Sequence, residues 1–108
     1  MLPLVLFNTT TITADGSFES ETIDTAEARA LAQKADELHS AVGHAATAEI
    51  MSTLLGVKVE ASRPNYVQQV GQLALVLKLR SRIPEGKVLS AVEIEEIGYD
   101  FKLMVRTR

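Results

Sequence analysis

His44 stands in the run Ser40-Ala41-Val42-Gly43-His44-Ala45-Ala46-Thr47, where a flexible glycine hands the chain to an apolar, helix-forming stretch. The start of a helix directs backbone N–H groups and the positive end of the helix dipole outward, which favours an anion. An imidazole titrates near neutral pH, so beside such an anion hole it can give a proton to the leaving oxygen of a phosphate ester. The plainer alternative is an ordinary surface histidine at a helix start. A second group lies further along. Lys78, Arg80 and Arg82 alternate along an apolar stretch, and on a strand they would project together at intervals of about 7 Å. Arginine offers forked donors that match a phosphate. The same pattern also suits an edge strand guarded by charge against aggregation.

Other chemistries find less support. His39 and His44 are five residues apart, and on one continuous helix they would diverge by about 140°. A helical zinc site uses an i,i+4 pair instead, so no metal is expected and His39 reads as a surface residue in the last turn of a helix. Cysteine is absent, which excludes disulfides, thiolate nucleophiles and Cys-based metal sites. There is no Gly-x-Ser-x-Gly elbow, no P-loop and no dinucleotide glycine fingerprint, and no cofactor is expected. Glu95 and Glu96 read as a solvated helix face.

Composition narrows the partners. The 108 residues suit a single domain, 1–108, with one core, and the apolar fraction of 46% is ordinary for a globular chain. Two Tyr, three Phe and no Trp leave little for stacking bases along a single strand. A net charge of −3 argues against a broad surface for long nucleic acid but leaves room for a small anion held by a local basic cluster. Met1 to Phe7 reads as a buried first strand rather than a signal peptide. No apolar run approaches the roughly 20 residues of a membrane span. A cytoplasmic location is the expectation.

These residues need elements to position them. Leu4 to Thr13 and Ser17 to Ile23 read as strands joined through Asp15-Gly16 into a hairpin. Asp24 or Thr25 caps a helix to about Leu38, with Ala28, Leu31, Ala35 and Leu38 on one face. A second helix spans about Gly43 to Leu55 with Thr47, Ile50, Met51, Leu54 and Leu55 on its stripe, and Gly56 ends it. Val57 to Ala61 alternates as a short strand, and Gln72 to Ile83 is the clearest strand, broken by Pro84-Glu85-Gly86. Ser90 and Glu93 form a capping-box pattern before a short helix that Gly98 closes, and Tyr99 to Val105 supplies a last strand. The expected fold is α/β (α+β), a mixed sheet of about five strands flanked by helices.

Taken in order, these residues carry a resemblance. Asn8 comes after the first strand, then Ser40-x-x-Gly43-His44-x-x-Thr47, Leu54-Leu55-Gly56-Val57 and Arg63. Last comes Arg82-Ile83-Pro84-Glu85-Gly86-Lys87-Val88-Leu89. This order and separation, over nearly the whole chain, resembles the viral ring nuclease family, the anti-CRISPR proteins of archaeal viruses and phages with bacterial relatives. The resemblance implies a symmetric, two-fold homodimer that binds cyclic tetra-adenylate across its interface. It implies cleavage without a metal into two linear di-adenylates, which silences type III CRISPR signalling.

The resemblance also implies roles. His44 matches the general acid, and Arg63 and Arg82 match the basic residues near the scissile phosphate. Glu85 matches a glutamate that orients either His44 or an arginine. Asn8, Thr11, Gly43, Thr47 and Lys78 fall on ligand-holding positions, although Thr11 replaces a Ser and Lys78 stands where Gln occurs. Two readings from other classes compete: a sponge that binds the cyclic nucleotide without cutting it, and a viral interaction or DNA-associated protein.

Overall fold

The computed structural model describes residues 2–8, 14–62, 66–81 and 90–108. In chain order these form β1 (Leu4–Phe7), β2 (Phe18–Ile23), α1 (Thr25–Lys34), β3 (Leu38–Ser40), α2 (Ala45–Leu55), β4 (Leu73–Leu79), α3 (Ala91–Ile97) and β5 (Tyr99–Arg106). The strands make one five-stranded sheet in the order β2-β5-β4-β1-β3. β1 pairs in parallel with both β3 and β4, whereas β5 runs antiparallel to β2 and β4. Four strands therefore point the same way and only β5 opposes them. Their C-terminal ends share one rim of the sheet with the start of β5.

The helices cover one face. Leu4, Leu6, Leu75, Leu77 and Phe101 pack there against Ala28 and Ala32 of α1, the apolar stripe of α2, and Ile94 of α3. On the other face Val5, Phe7, Ala74, Val76 and Met104 form a smaller cluster with Phe18, Ala41 and Tyr66 against it. Residues 66–72 fasten themselves to that second face by buried side chains. Gln72 Nε2 donates to Pro3 O at 2.9 Å and to the Tyr66 hydroxyl, while Gln68 Nε2 donates to Met104 O at 3.2 Å. Among the described residues, no helix is long and apolar enough to cross a membrane.

Several expectations are met at the level of single residues. Asp24 caps α1 by accepting from Glu27 N–H at 2.7 Å, and Ser90 with Glu93 completes a capping box on α3. Gly56 closes α2 in the left-handed region at φ 68°, where a side chain would be strained. The buried positions of α2 are Thr47, Ala48, Ile50, Met51 and Leu55, close to the expected stripe.

Five expectations are corrected. β1 and β2 make no hairpin: β2 pairs with β5, and β5 and β4 separate it from β1. Asp15-Gly16 does lie in a bend, but the apolar pattern does not say which strand is the partner. α1 stops at Lys34, where Ala35 turns extended at ψ 133°, and Leu38–Ser40 becomes β3 beside β1. Leu38 meets the same core from a strand as it would from a helix, so its spacing could not separate the two.

His39 consequently lies on β3, half-buried, with its ring 4.5 Å from that of Tyr66. The helical divergence between His39 and His44 does not apply, because they sit on a strand and on a helix cap. Residues 57–61 form no strand; they run as an irregular strap alongside α2.

β4 is also not an edge. It lies at the centre of the sheet, with Leu75 and Leu77 buried under the helices and Ala74 and Val76 buried on the opposite face. A strand covered on both sides reads as a continuous apolar run, which is what residues 73–77 are. Leu77→Ala is predicted to cost about 2–5 kcal/mol through the cavity it leaves. Lys78→Ala, one residue on and exposed, should stay within about 0.5 kcal/mol. Urea midpoints with unchanged slope would measure both; equal effects would contradict the central placement.

Candidate functional site

The rim formed by the C-terminal ends of the parallel strands gathers the candidate residues that lie within the described chain. Asn8 comes directly after β1, residues 41–44 come after β3, and Lys78 and Arg80 lie at the end of β4. β1 sits between β3 and β4, and the α2 connection carries the chain from one flank of β1 to the other. In open α/β sheets this is the position where ligands enter, outside the carboxyl ends of the strands. Thr11, Arg63, Arg82 and Glu85 lie outside the described residues.

The loop before α2 is firmly held. Ala41 N–H donates to Leu6 O at 2.8 Å, and Val42 is fully buried. Val42 N–H donates to Ser40 Oγ at 3.3 Å, while Val42 O accepts from Ser62 N–H at 2.8 Å. His44 is thus a fixed backbone position with an exposed side chain, and its carbonyl accepts from Ala48 N–H at 2.9 Å. Thr47, one turn in, is only 8% exposed, so its side chain belongs to the inward side of the helix.

The three helix starts differ in charge and capping. Asp24 and Glu27 put two carboxylates at the start of α1, and Ser90 and Glu93 close the start of α3. α2 has His44 as its cap, with no side-chain cap hydrogen bond and no acidic residue in its first turn. A carboxylate at a helix start takes the place an anionic ligand would occupy. Among the described residues, the first turn of α2 carries no carboxylate of its own.

The basic row on β4 divides. Lys78 shares the face of Val76, opposite the helices, and its register partner is Asp100. Arg80 is committed to Asp100: Nη2 donates to Oδ1 at 3.0 Å and Nε to Oδ2 at 3.4 Å, while Arg80 N–H donates to Gly98 O. The Arg80 hydrogen bond, with smaller contributions from the charges of Arg80, Lys102 and Lys78, holds the Asp100 carboxyl below its ordinary value. The same pairing raises Arg80. Asp100 was missed in the sequence, although its place between Tyr99 and Phe101 signals the outward face of a strand. Among the described residues, no group of three or more His, Asp or Glu side chains is arranged to hold a metal ion.

The depressed Asp100 carboxyl fixes the sign of a pH effect. Its contribution to stability is present above the unfolded carboxylate value and is lost as pH falls through the folded one. Asp100→Asn is therefore predicted to be less stable than the parent near neutral pH and to match it in strong acid. Denaturation midpoints across that range would check this. A gap that widens on acidification would contradict the assignment.

Comparison with known proteins gives consistent findings. A family model described as STIV B116-like matches residues 4–101. The chain is 37% identical over 93 residues to the uncharacterized protein ORF117 of Acidianus two-tailed virus, covering 84% of this chain and 80% of that one. It is 27% identical over 106 residues to the uncharacterized protein YddF of Bacillus subtilis, covering 97% and 98% respectively. Among solved structures, B116 of Sulfolobus turreted icosahedral virus superposes with a TM-score of 0.80 at 22% identity, covering 96% of this chain and 99% of that one. With the five-stranded sheet, the one-sided helices and a family match across nearly the whole chain, this protein belongs to the STIV B116-like family.

Proposed function

We propose that this protein is a metal-independent ring nuclease that opens cyclic tetra-adenylate into linear di-adenylates and so switches off type III CRISPR signalling. The observation that carries the reading is the start of α2: an exposed His44 capping a helix whose own first turn holds no acidic residue, on a well-anchored loop. A cyclic tetranucleotide presents four phosphates to such ends. A two-fold homodimer would bring one α2 start to each side of the ring, which accounts for two cuts and two identical products.

The chemistry balances without a cofactor. A ribose 2′-oxygen attacks the adjacent phosphorus and its proton passes to water. The bond from phosphorus to the 5′-oxygen breaks, leaving a 2′,3′-cyclic phosphate at one new end of the chain. His44 gives its proton to the departing 5′-oxygen, forming a 5′-hydroxyl at the other new end, so that after two cuts each di-adenylate carries one of each. Arg63 and Arg82 would stabilise charge on the phosphorane, and Glu85 would orient His44 or an arginine. Asn8, Thr11 and Gly43 would hold the ring by hydrogen bonds, whereas Thr47, also expected to do so, has a buried side chain on the inward side of α2 and is less well supported. Lys78 is the least supported contact, because it lies on the sheet face opposite α2.

Labelled cyclic tetra-adenylate, followed by chromatography with and without chelator, tests the reading. Di-adenylate formation unaffected by chelator is expected. Tight binding without product would identify a sponge, and indifference to the nucleotide with salt-sensitive duplex binding would favour a DNA-associated role. His44→Ala should lower turnover by about 10²–10⁴-fold, the usual worth of a general acid, without changing the oligomeric state in light scattering.

A further inference from the structure

β2 forms one margin of the sheet, with β5 on its inner side and, among the described residues, no strand on its outer side. Antiparallel pairing directs the backbone groups of successive residues to opposite sides of a strand. Ser17 O accepts from Thr107 N–H at 2.8 Å and Ser17 N–H donates to Arg108 O at 3.1 Å, so Ser17 turns both groups inward. Glu19, Glu21 and Ile23 follow at two-residue steps in the same ladder and do likewise. The N–H and C=O groups of Phe18, Ser20 and Thr22 therefore point outward. Such a row of unpaired backbone groups is a template for a further strand. The opposite margin, β3, is only three residues long, and Ser40 and Val42 there are bonded to the strap of residues 57–62.

Side chains decide what the added strand can be. Glu19 and Glu21 are exposed on the face that carries the helices, across from Val105 and Leu103 of β5. Among the described residues, neither is held in an ion pair. Phe18, Ser20 and Thr22 lie on the other face. Arg106 sits over the Phe18 ring there, and Lys102 Nζ donates to Thr22 Oγ1 at 3.1 Å. One side of this margin is thus acidic and the other basic. A second copy of β2 does not suit it. Antiparallel registers centred on Glu19, Ser20 or Glu21 set glutamate opposite glutamate, with Cα atoms about 4.5 Å apart. Like charges so placed repel, whereas Lys or Arg in the same places would attract.

We propose that the outer edge of β2 captures an extended segment of a partner protein, adding it to the sheet as a sixth strand. That segment carries Lys or Arg at alternate positions, opposite Glu19 and Glu21, with uncharged or acidic side chains between them. Backbone bonds to Phe18, Ser20 and Thr22 hold the segment, and the charge alternation fixes its register. The surface uses no residue of the candidate site and does not depend on the ring-nuclease reading.

A labelled peptide of alternating Lys and Thr, about ten residues long, is the probe, titrated against the full chain. It should bind at least about 10-fold more tightly than a peptide of alternating Glu and Thr. In the docked register the Thr amides of the probe face β2 and the Lys amides face away. Methylating the Thr backbone nitrogens should therefore weaken binding by at least about 10-fold, and methylating the Lys ones by less than about two-fold. In Glu19→Lys/Glu21→Lys the preference between the two peptides should reverse. Hydrogen exchange at the Ser20 and Thr22 amides should slow on binding, while unchanged exchange at Leu75 and Leu77 shows the sheet intact in parent and variant. No binding of the Lys/Thr peptide at millimolar concentration would overturn the proposal. So would tight binding of the Thr-methylated peptide, a preference that survives the charge reversal, or unaltered exchange at Ser20 and Thr22.

Discussion

The arrangement depends on β1 being held in parallel between β3 and β4. That pairing requires each connection to cross the sheet before the next strand can run in the same direction, and α2 makes one of those crossings. A helix that comes after a parallel strand begins at the strand's C-terminal end. The dipole end that favours an anion is thus delivered to the same rim as Asn8 and the end of β4. Moving β1 from between β3 and β4 would scatter these groups along two edges of the sheet.

Burial enforces the constraint. Val5 and Leu6 of β1 are 0% and 1% exposed, and Ala74 to Leu77 of β4 are all 0% exposed, so neither strand can slip by one residue without turning apolar side chains between two differently packed faces. The rim carries exposed polar groups beside the buried Val42. His44 is exposed there, and Arg80 and Asp100 pair at the surface, where their attraction shapes the chain more than it stabilises it. Rigidity comes from the sheet, and the exposed polar groups sit on the loops and the helix start at its rim.

Much of this was legible in the residues. Caps are local chemistry, so Asp24, the Ser90–Glu93 box and Gly56 declared the ends of three helices directly. His44 at a helix start was likewise a local reading. Partner choice was not legible, because alternation in β2 is equally satisfied by β1 or by β5. β3 was hidden because Leu38 keeps helical spacing with Leu31 and Ala35 while facing the core from a strand. The strap of residues 57–62 alternates like a strand, yet Ser52 and Ser40 take some of the backbone groups a ladder would have used. The commitment of Arg80 to Asp100 needed the β4–β5 register, which no spacing within β4 reveals.

Protonation of a departing 5′-oxygen by His44 is tested most directly with a cyclic tetra-adenylate analogue that carries sulfur in place of each bridging 5′-oxygen. A thiolate leaves without needing a proton. His44→Ala, deficient on the natural ring, is predicted to cleave the sulfur analogue at nearly the parent rate. Equal deficiency of His44→Ala on both substrates would contradict the role of His44 as general acid.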